Sequence, residues 1–155
     1  MKKLSMCFTA ILLLLSACEK DCKINYPKNL KPIDWENYND VYTVYWNYKS
    51  DCQEIRKDEN KDIMVSGWIH NFNGFSRLDF ELGDTPDENH TPCILITTSV
   101  GDVPYEGLEV ILKLDTCDLS KKCFIKGKLL FYQPFSDGMS YPAIYFNDAN
   151  NIYFE

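Results

Sequence analysis

The sequence predicts a small antiparallel β-barrel carried on a membrane tether. Three observations lead there. After residue 60 the chain is a series of five or six short apolar runs separated by turn residues. Two of the longer runs carry an interior glycine, Gly67 and Gly127, which lets a strand coil sharply enough to close a sheet. Aromatic residues make up 14% of the chain, ten of them tyrosine, which suits a β-rich core or an aromatic contact surface.

The first segment is not part of that domain. A basic head, Met1-Lys2-Lys3, precedes an apolar run from Phe8 to Leu15. Such a run spans roughly 12–15 Å as a helix, about half of a ~30 Å hydrocarbon core, so it reads as the core of a signal peptide over residues 1–17. Leu15-Ser16-Ala17-Cys18 resembles the bacterial lipobox, in which lipid is joined to the cysteine sulfur and the chain is cut between Ala17 and Cys18. That resemblance implies an acylated Cys18, and two or more acyl chains hold a protein stably on a bilayer. The alternative is an ordinary secreted protein cut near Ala17, with Cys18 left as a disulfide partner.

Residues 18–38 are polar, contain Pro27 and Pro32, and lack an apolar period; they are expected to be an extended, mobile tether. The domain is expected to run from 39 to 155. Over Asp40–Tyr48 two periods compete. Val41, Val44, Tyr45 and Tyr48 fit one helical face, whereas Tyr42, Val44, Trp46 and Tyr48 alternate as in a strand. A cap at Asn39 or Asp40 and the polar exit Lys49-Ser50-Asp51 tip the choice to a short helix.

Ile63–Ile69 reads as a strand bent at Gly67. Asn73-Gly74 is a hairpin signal leading into a second strand over Phe75–Leu82. Gly83–Pro92 is a polar loop, and Cys93–Val100 an apolar, β-branched third strand. Leu108, Val110, Leu112 and Leu114 alternate, so Leu108–Leu114 is expected to be a strand. Cys123–Tyr132 is another, and Ala143–Phe146 and Ile152–Phe154 close the series. This order fits the five-stranded Greek-key barrel of the oligonucleotide/oligosaccharide-binding (OB) type, with an immunoglobulin-like β-sandwich as the alternative.

Charge excludes some partners. Taking Lys2 and Lys3 from 16 basic residues leaves 14 against 23 acidic ones, a formal charge of −9 for the mature chain. No nucleic acid is expected as a partner, because phosphate binding needs a basic face. The overall acidity also disfavours anionic headgroups.

Of seven cysteines, Cys7 leaves with the signal and Cys18 takes lipid. An exported chain meets an oxidising compartment, so disulfides are expected among Cys22, Cys52, Cys93, Cys117 and Cys123. Cys117 with Cys123 is the favoured pair and Cys22 with Cys52 the second. No metal is expected: there is no Cys-x-x-Cys, and His70 and His90 lack ligand spacing to any cysteine.

Three stretches carry a family resemblance: Tyr38–Tyr48 (YNDVYTVYWNY), Leu114–Gly127 (LDTCDLSKKCFIKG) and Asn151–Glu155 (NIYFE). Together they resemble small lipoproteins of gut Bacteroidota. Phe124-Ile125-Lys126-Gly127 and the closing strand also resemble OB-like domains. The resemblance implies location in the cell envelope, at the outer membrane facing the periplasm or the cell surface, and an OB-like fold; it brings no catalytic residues.

Chemistry is sparse in the chain itself. Asp84, Asp87 and Glu88 share a loop, and Asp79 and Glu81 share a strand face, so a small polysaccharide-directed hydrolase is one reading. The loops Asp84–Asn89 and Asn147–Asn150 offer oxygen donors for Ca²⁺, though their spacing matches no calcium loop and turn formation accounts for them. No catalytic residues and no cofactor are assigned. The stronger reading is a non-enzymatic module that binds glycan or protein through aromatic rings. Trp68, Phe72, Phe75 and Tyr105, with Tyr132 and Tyr141, are the candidates, since aromatic faces stack on sugar rings.

Overall fold

The computed structural model describes residues 25–50, 57–71, 79–87, 92–98, 110, 113–133 and 138–155. The expected signal segment 1–17 with Ala17, the expected anchor Cys18, and Cys22, Cys52, Phe72, Phe75, Glu88 and Tyr105 lie outside the described residues, as does the expected Asn73-Gly74 turn.

The chain enters through strand β1 (Asn39–Asp40) and turns at once into helix α1 (Val41–Tyr48). Asp40 is the N-cap: its backbone is extended, and its carboxylate accepts from Thr43 N at 2.6 Å, satisfying one of the first-turn donors. At the other end the Lys49 N–H donates to Tyr45 O at 2.8 Å. The helical period therefore prevails over the alternating one. It places Val41, Val44 and Tyr48 in the core with Tyr45 packed against it, and leaves Tyr42 and Trp46 outward.

The barrel is built from β2 (Asp62–His70), β3 (Asp79–Gly83), β4 (Cys93–Thr97), β5 (Cys123–Tyr132) and β6 (Tyr141–Tyr145), with β7 (Ile152–Phe154) added alongside β5. Neighbours run β2-β3-β4-β6-β5, and β5 returns to pair antiparallel with β2 from Asp62↔Lys128 to Gly67↔Cys123. That pairing closes the cylinder, and β4–β6 is its parallel seam. A closed five-stranded barrel in this order has the OB topology; the sandwich alternative is excluded because one sheet closes on itself.

Gly67 is where β2 changes partner, from β5 below it to β3 beyond it. A Cβ there would lie 2.5 Å from Gly83 O, 2.8 Å from Val41 Cγ2 and 2.9 Å from Leu82 Cγ. The expected bend at this glycine is thus a site of close approach between two strands and the helix. Gly83 is a second such site, its missing side chain replaced by the ring of His70.

Inward residues alternate along each strand: Ile63, Val65 and Ile69; Phe80 and Leu82; Ile94 and Ile96; Cys123, Ile125 and Leu129; Ile144. Period-two burial of this kind is what a barrel with one packed interior requires. Tyr48 joins them through a ring contact with Phe131, centroids 5.7 Å apart.

Three expectations need correction. Val110, Lys113 and Leu114, the described residues of the expected strand 108–114, are helical. Val110 and Leu114 stand four apart, so one helical face buries both, 0% and 1% exposed. Lys113 Nζ reaches the carbonyls of Ala149 and Ile152, each at 2.6 Å, and so ties this turn to β7. Alternation of four residues is equally compatible with a buried i, i+4 pair, and here burial selected the helix.

The tether is not loose to residue 38. Tyr26 Oη donates to Lys49 O at 3.4 Å, Asn47 Nδ2 donates to Lys31 O at 2.8 Å, and Ile33 packs against the core. Asn39, 5% exposed, donates through Nδ2 to the carbonyls of Asp34 and Met64. This hydrogen-bonded strap is docked on the domain. Its prolines suit an extended strap as well as a linker.

Cys117 and Cys123, expected to pair, are both free thiols. Cys123 points into the barrel at 0% exposure, while Cys117 sits in the turn beyond Leu114, so the short loop joins an inward residue to an outward one.

Candidate functional site

Outward positions on β5 and β7 carry rings. The register places Phe124 beside Tyr153, and the two rings stack with centroids 4.9 Å apart and planes 6° from parallel. Tyr38, on the strap just before β1, stands edge-on to both, at 5.1 Å from Phe124 and 5.9 Å from Tyr153. Burial, then the Tyr153 hydroxyl beside it, push the Tyr38 phenol up to about 12. Tyr153 remains 46% exposed. On the other flank, Lys122 Nζ lies 5.3 Å above the Trp68 ring and 5.9 Å above Phe124. A cation over exposed rings contributes about 0.5–1 kcal/mol each.

Tyr38 also lines an open groove of about 660 Å³, whose other walls include Lys31, Ile33, Trp35, Glu36 and Asp40. Trp35 is 39% exposed, with Lys61 Nζ 5.0 Å from its ring centre. Asp34, also in the wall, is committed to the strap: it accepts from the backbone of Glu36 and Asn37 and from the Asn37 amide. The Asn37 amide first, and then the Glu36 N–H, hold its carboxyl below the usual range. The arrangement is a row of half-exposed rings, Trp68, Phe124, Tyr153 and Tyr38, running into a groove with Trp35 at its far side. Such a row presents flat apolar faces edged by charged groups, which is the chemistry that grips a pyranose ring or a peptide.

A second cluster lies on α1 and the opposite end of β5. Lys49 Nζ sits 5.2–5.5 Å from the rings of Tyr45, Trp46 and Tyr141, and Tyr141 lies 6.0 Å from Tyr132. Burial, then the Glu81 carboxylate, push the Tyr132 phenol up to about 12.

The structure thus splits the aromatic candidates read from the sequence. Trp68 falls in the first face, and Tyr132 and Tyr141 in the second. Tyr38, Phe124, Tyr153 and Trp35 were missed: two belong to a stretch taken as tether, and two stand on strands whose outward positions cannot be known without the register. For Phe124 a signal was present in Cys123–Tyr132, where it occupies the phase opposite the buried Cys123 and Ile125.

The carboxylates proposed for hydrolysis do not converge among the described residues. Asp84 accepts from Tyr42 N at 3.2 Å near the start of α1, Asp87 is exposed, and the Asn71 amide donates to Glu81 at 2.6 Å. The displaced carboxyls, Asp34, Asp58 and Asp118, are all displaced downward, opposite to a general acid. Asp148 accepts from Asn150 N at 2.8 Å, capping a turn at Ala149–Asn151. Among the described residues no group of three His, Cys, Asp or Glu side chains converges on a point.

No protein-family model and no curated protein matches the chain. Solved structures do. "OBody AM2EP06 bound to hen egg-white lysozyme" aligns at 14% identity over 84% of this chain and 96% of that one, with a TM-score of 0.43. "OBody AM1L10 bound to hen egg-white lysozyme" aligns at 13% identity, 84% and 95% coverage, and a TM-score of 0.42. "OBody NL8 bound to hen egg-white lysozyme" covers 61% of this chain and 94% of that one at 14% identity, with a TM-score of 0.41.

Proposed function

We propose that this chain is a lipid-anchored envelope protein, without enzymatic activity, whose barrel binds a glycan or protein ligand on the Trp68–Phe124–Tyr153–Tyr38 face. The membrane is a partner through the lipid on Cys18. The observation that carries the binding reading is the exposed Tyr153–Phe124 stack continuous, through Tyr38, with the groove at Trp35. A net acidic protein repels nucleic acid, so uncharged sugar rings or an apolar peptide are the ligands that rings of this kind recruit.

The mature protein, screened on a glycan array and used to capture envelope proteins, tests it. Ring stacking is worth about 1–3 kcal/mol per ring by alanine substitution. Tyr153→Ala should therefore weaken the captured ligand by about tenfold or more. Ligand binding untouched by both Tyr153→Ala and Phe124→Ala would rule this face out. The anchor is tested separately: Cys18→Ala should move the protein from the membrane to the soluble fraction.

A further inference from the structure

Helix α1 is eight residues long and contains no charged residue, VYTVYWNY. A surface helix ordinarily turns charged side chains to water. This one leaves Tyr42 exposed and Trp46 partly so, while Asn47 is bonded to the strap. The N-terminal end of α1 is acidic, with Asp40 as its cap and Asp84 accepting from Tyr42 N. The C-terminal end is aromatic and basic: Trp46 and Tyr45 under Lys49, with Tyr141 beside them.

The strap brings its first described residues to that same end. Tyr26, 41% exposed, donates to the Lys49 carbonyl, and Lys31 is held through its carbonyl by Asn47. The side chains of Lys28 and Lys31 are exposed. Only seven residues lie between Cys18 and Tyr26, eight steps of chain and a reach of at most ~28 Å at full extension. A lipid on Cys18 thus keeps the C-terminal end of α1 within one domain diameter of the bilayer. Tryptophan, tyrosine and lysine together are the side chains that settle at headgroup depth, rings among the glycerol groups and ammonium groups on phosphate.

We propose that the C-terminal end of α1, with Tyr26, Trp46 and Lys49 at its centre and Lys28 and Lys31 beside it, rests in the phospholipid headgroup layer of the membrane that carries the anchor. The inference rests on acylation of Cys18 and adds an orientation to it. The net negative charge of the chain favours a pose that turns Lys28, Lys31 and Lys49 to an anionic surface and keeps the acidic bulk away from it.

The test uses the full mature lipoprotein in phosphatidylethanolamine/phosphatidylglycerol vesicles containing a lipid spin-labelled on its headgroup. Two single-tryptophan forms are compared. Trp35→Phe with Trp68→Phe leaves Trp46; Trp35→Phe with Trp46→Phe leaves Trp68. Most of the Trp46 emission should be quenched and most of the Trp68 emission retained. In the Trp46 form, Lys28→Glu with Lys31→Glu, both on the exposed surface, should restore a large part of the emission. Mass spectrometry of Cys18 separates the two ways of failing. If Cys18 is acylated and the two tryptophans are quenched alike, or neither is, the orientation is wrong and the anchor stands. An unacylated Cys18 removes the anchor, and the inference falls with it.

Discussion

Gly67 holds the barrel and the helix together by having no side chain, so adding one methyl group measures that contact. In Gly67→Ala the new Cβ lands 2.5 Å from Gly83 O, 2.8 Å from Val41 Cγ2 and 2.9 Å from Leu82 Cγ. Favourable carbon contacts begin near 3.5 Å, so all three neighbours must retreat. Val41 can turn away; the Gly83 carbonyl cannot, because Gly83 is paired with Trp68 in the β2–β3 ladder. Overpacking of this kind costs about 1–3 kcal/mol. Alanine recovers roughly 0.4–1 kcal/mol by restricting the unfolded chain. The clash prevails, leaving a net loss of about 1–2 kcal/mol, or a Tm lower by about 3–10 °C for a chain of this size. Urea unfolding and calorimetry read it directly. Val41→Ala should cost less in the Gly67→Ala background than alone, since it removes one of the three contacts, with a coupling of about 0.5 kcal/mol or more. An unchanged or raised Tm in Gly67→Ala would refute the close approach of α1, β2 and β3.

Two further outcomes follow from titratable groups. Burial pushes the Cys123 thiol up to about 12, whereas Cys117 is half-exposed, so at pH 8 a thiol reagent should label Cys117 and spare Cys123 until denaturant is added; peptide mapping checks it. Tyr48 donates to Asp58 at 3.1 Å and Lys61 pairs with the same carboxylate at 2.5 Å. Burial raises the Asp58 carboxyl, and the Lys61 and Tyr48 hydrogen bonds together outweigh it, so the net displacement is downward. A depressed carboxyl adds stability above its unfolded value near 3.9, and that part is lost as pH falls through the folded value. Tyr48→Phe should then cost about 1 kcal/mol at pH 7 and much less under acid, seen as converging unfolding curves.

The strand series was legible because alternation, turn residues and β-branched runs agreed over Cys123–Tyr132 and Ile63–Ile69. The α1 helix was legible through its cap, even though its aromatic residues alternate as a strand would. Closure was not written locally: the β2–β5 pairing joins residues about sixty apart, and only the strand count with Gly67 and Gly127 hinted at it. The 108–114 stretch was misread because four alternating apolar residues serve a buried helical turn as well. The proposed binding face was the least legible part. Its rings come from the strap, β2, β5 and β7, and adjacency between them is a property of register.

Whether that face exists for binding or for stability can be decided by where its rings point. Phe124 and Tyr153 stand on the outer side of β5 and β7, behind Cys123, Ile125 and Ile152, which already fill the interior at 0% exposure. Their mutual stacking contributes about 0.5–1.5 kcal/mol beyond the area they cover. Replacing both with threonine, which keeps a strand-favouring residue at each position, should cost about 1–3 kcal/mol, because no cavity opens in the core. Ligand capture should be lost in the same variant. A loss of 4 kcal/mol or more by urea unfolding, a size reached when a core ring is removed, would show that the rings serve the fold instead. The 46% exposure of Tyr153 argues for the smaller figure: a ring that keeps nearly half its surface in water gains less from folding than a core ring does.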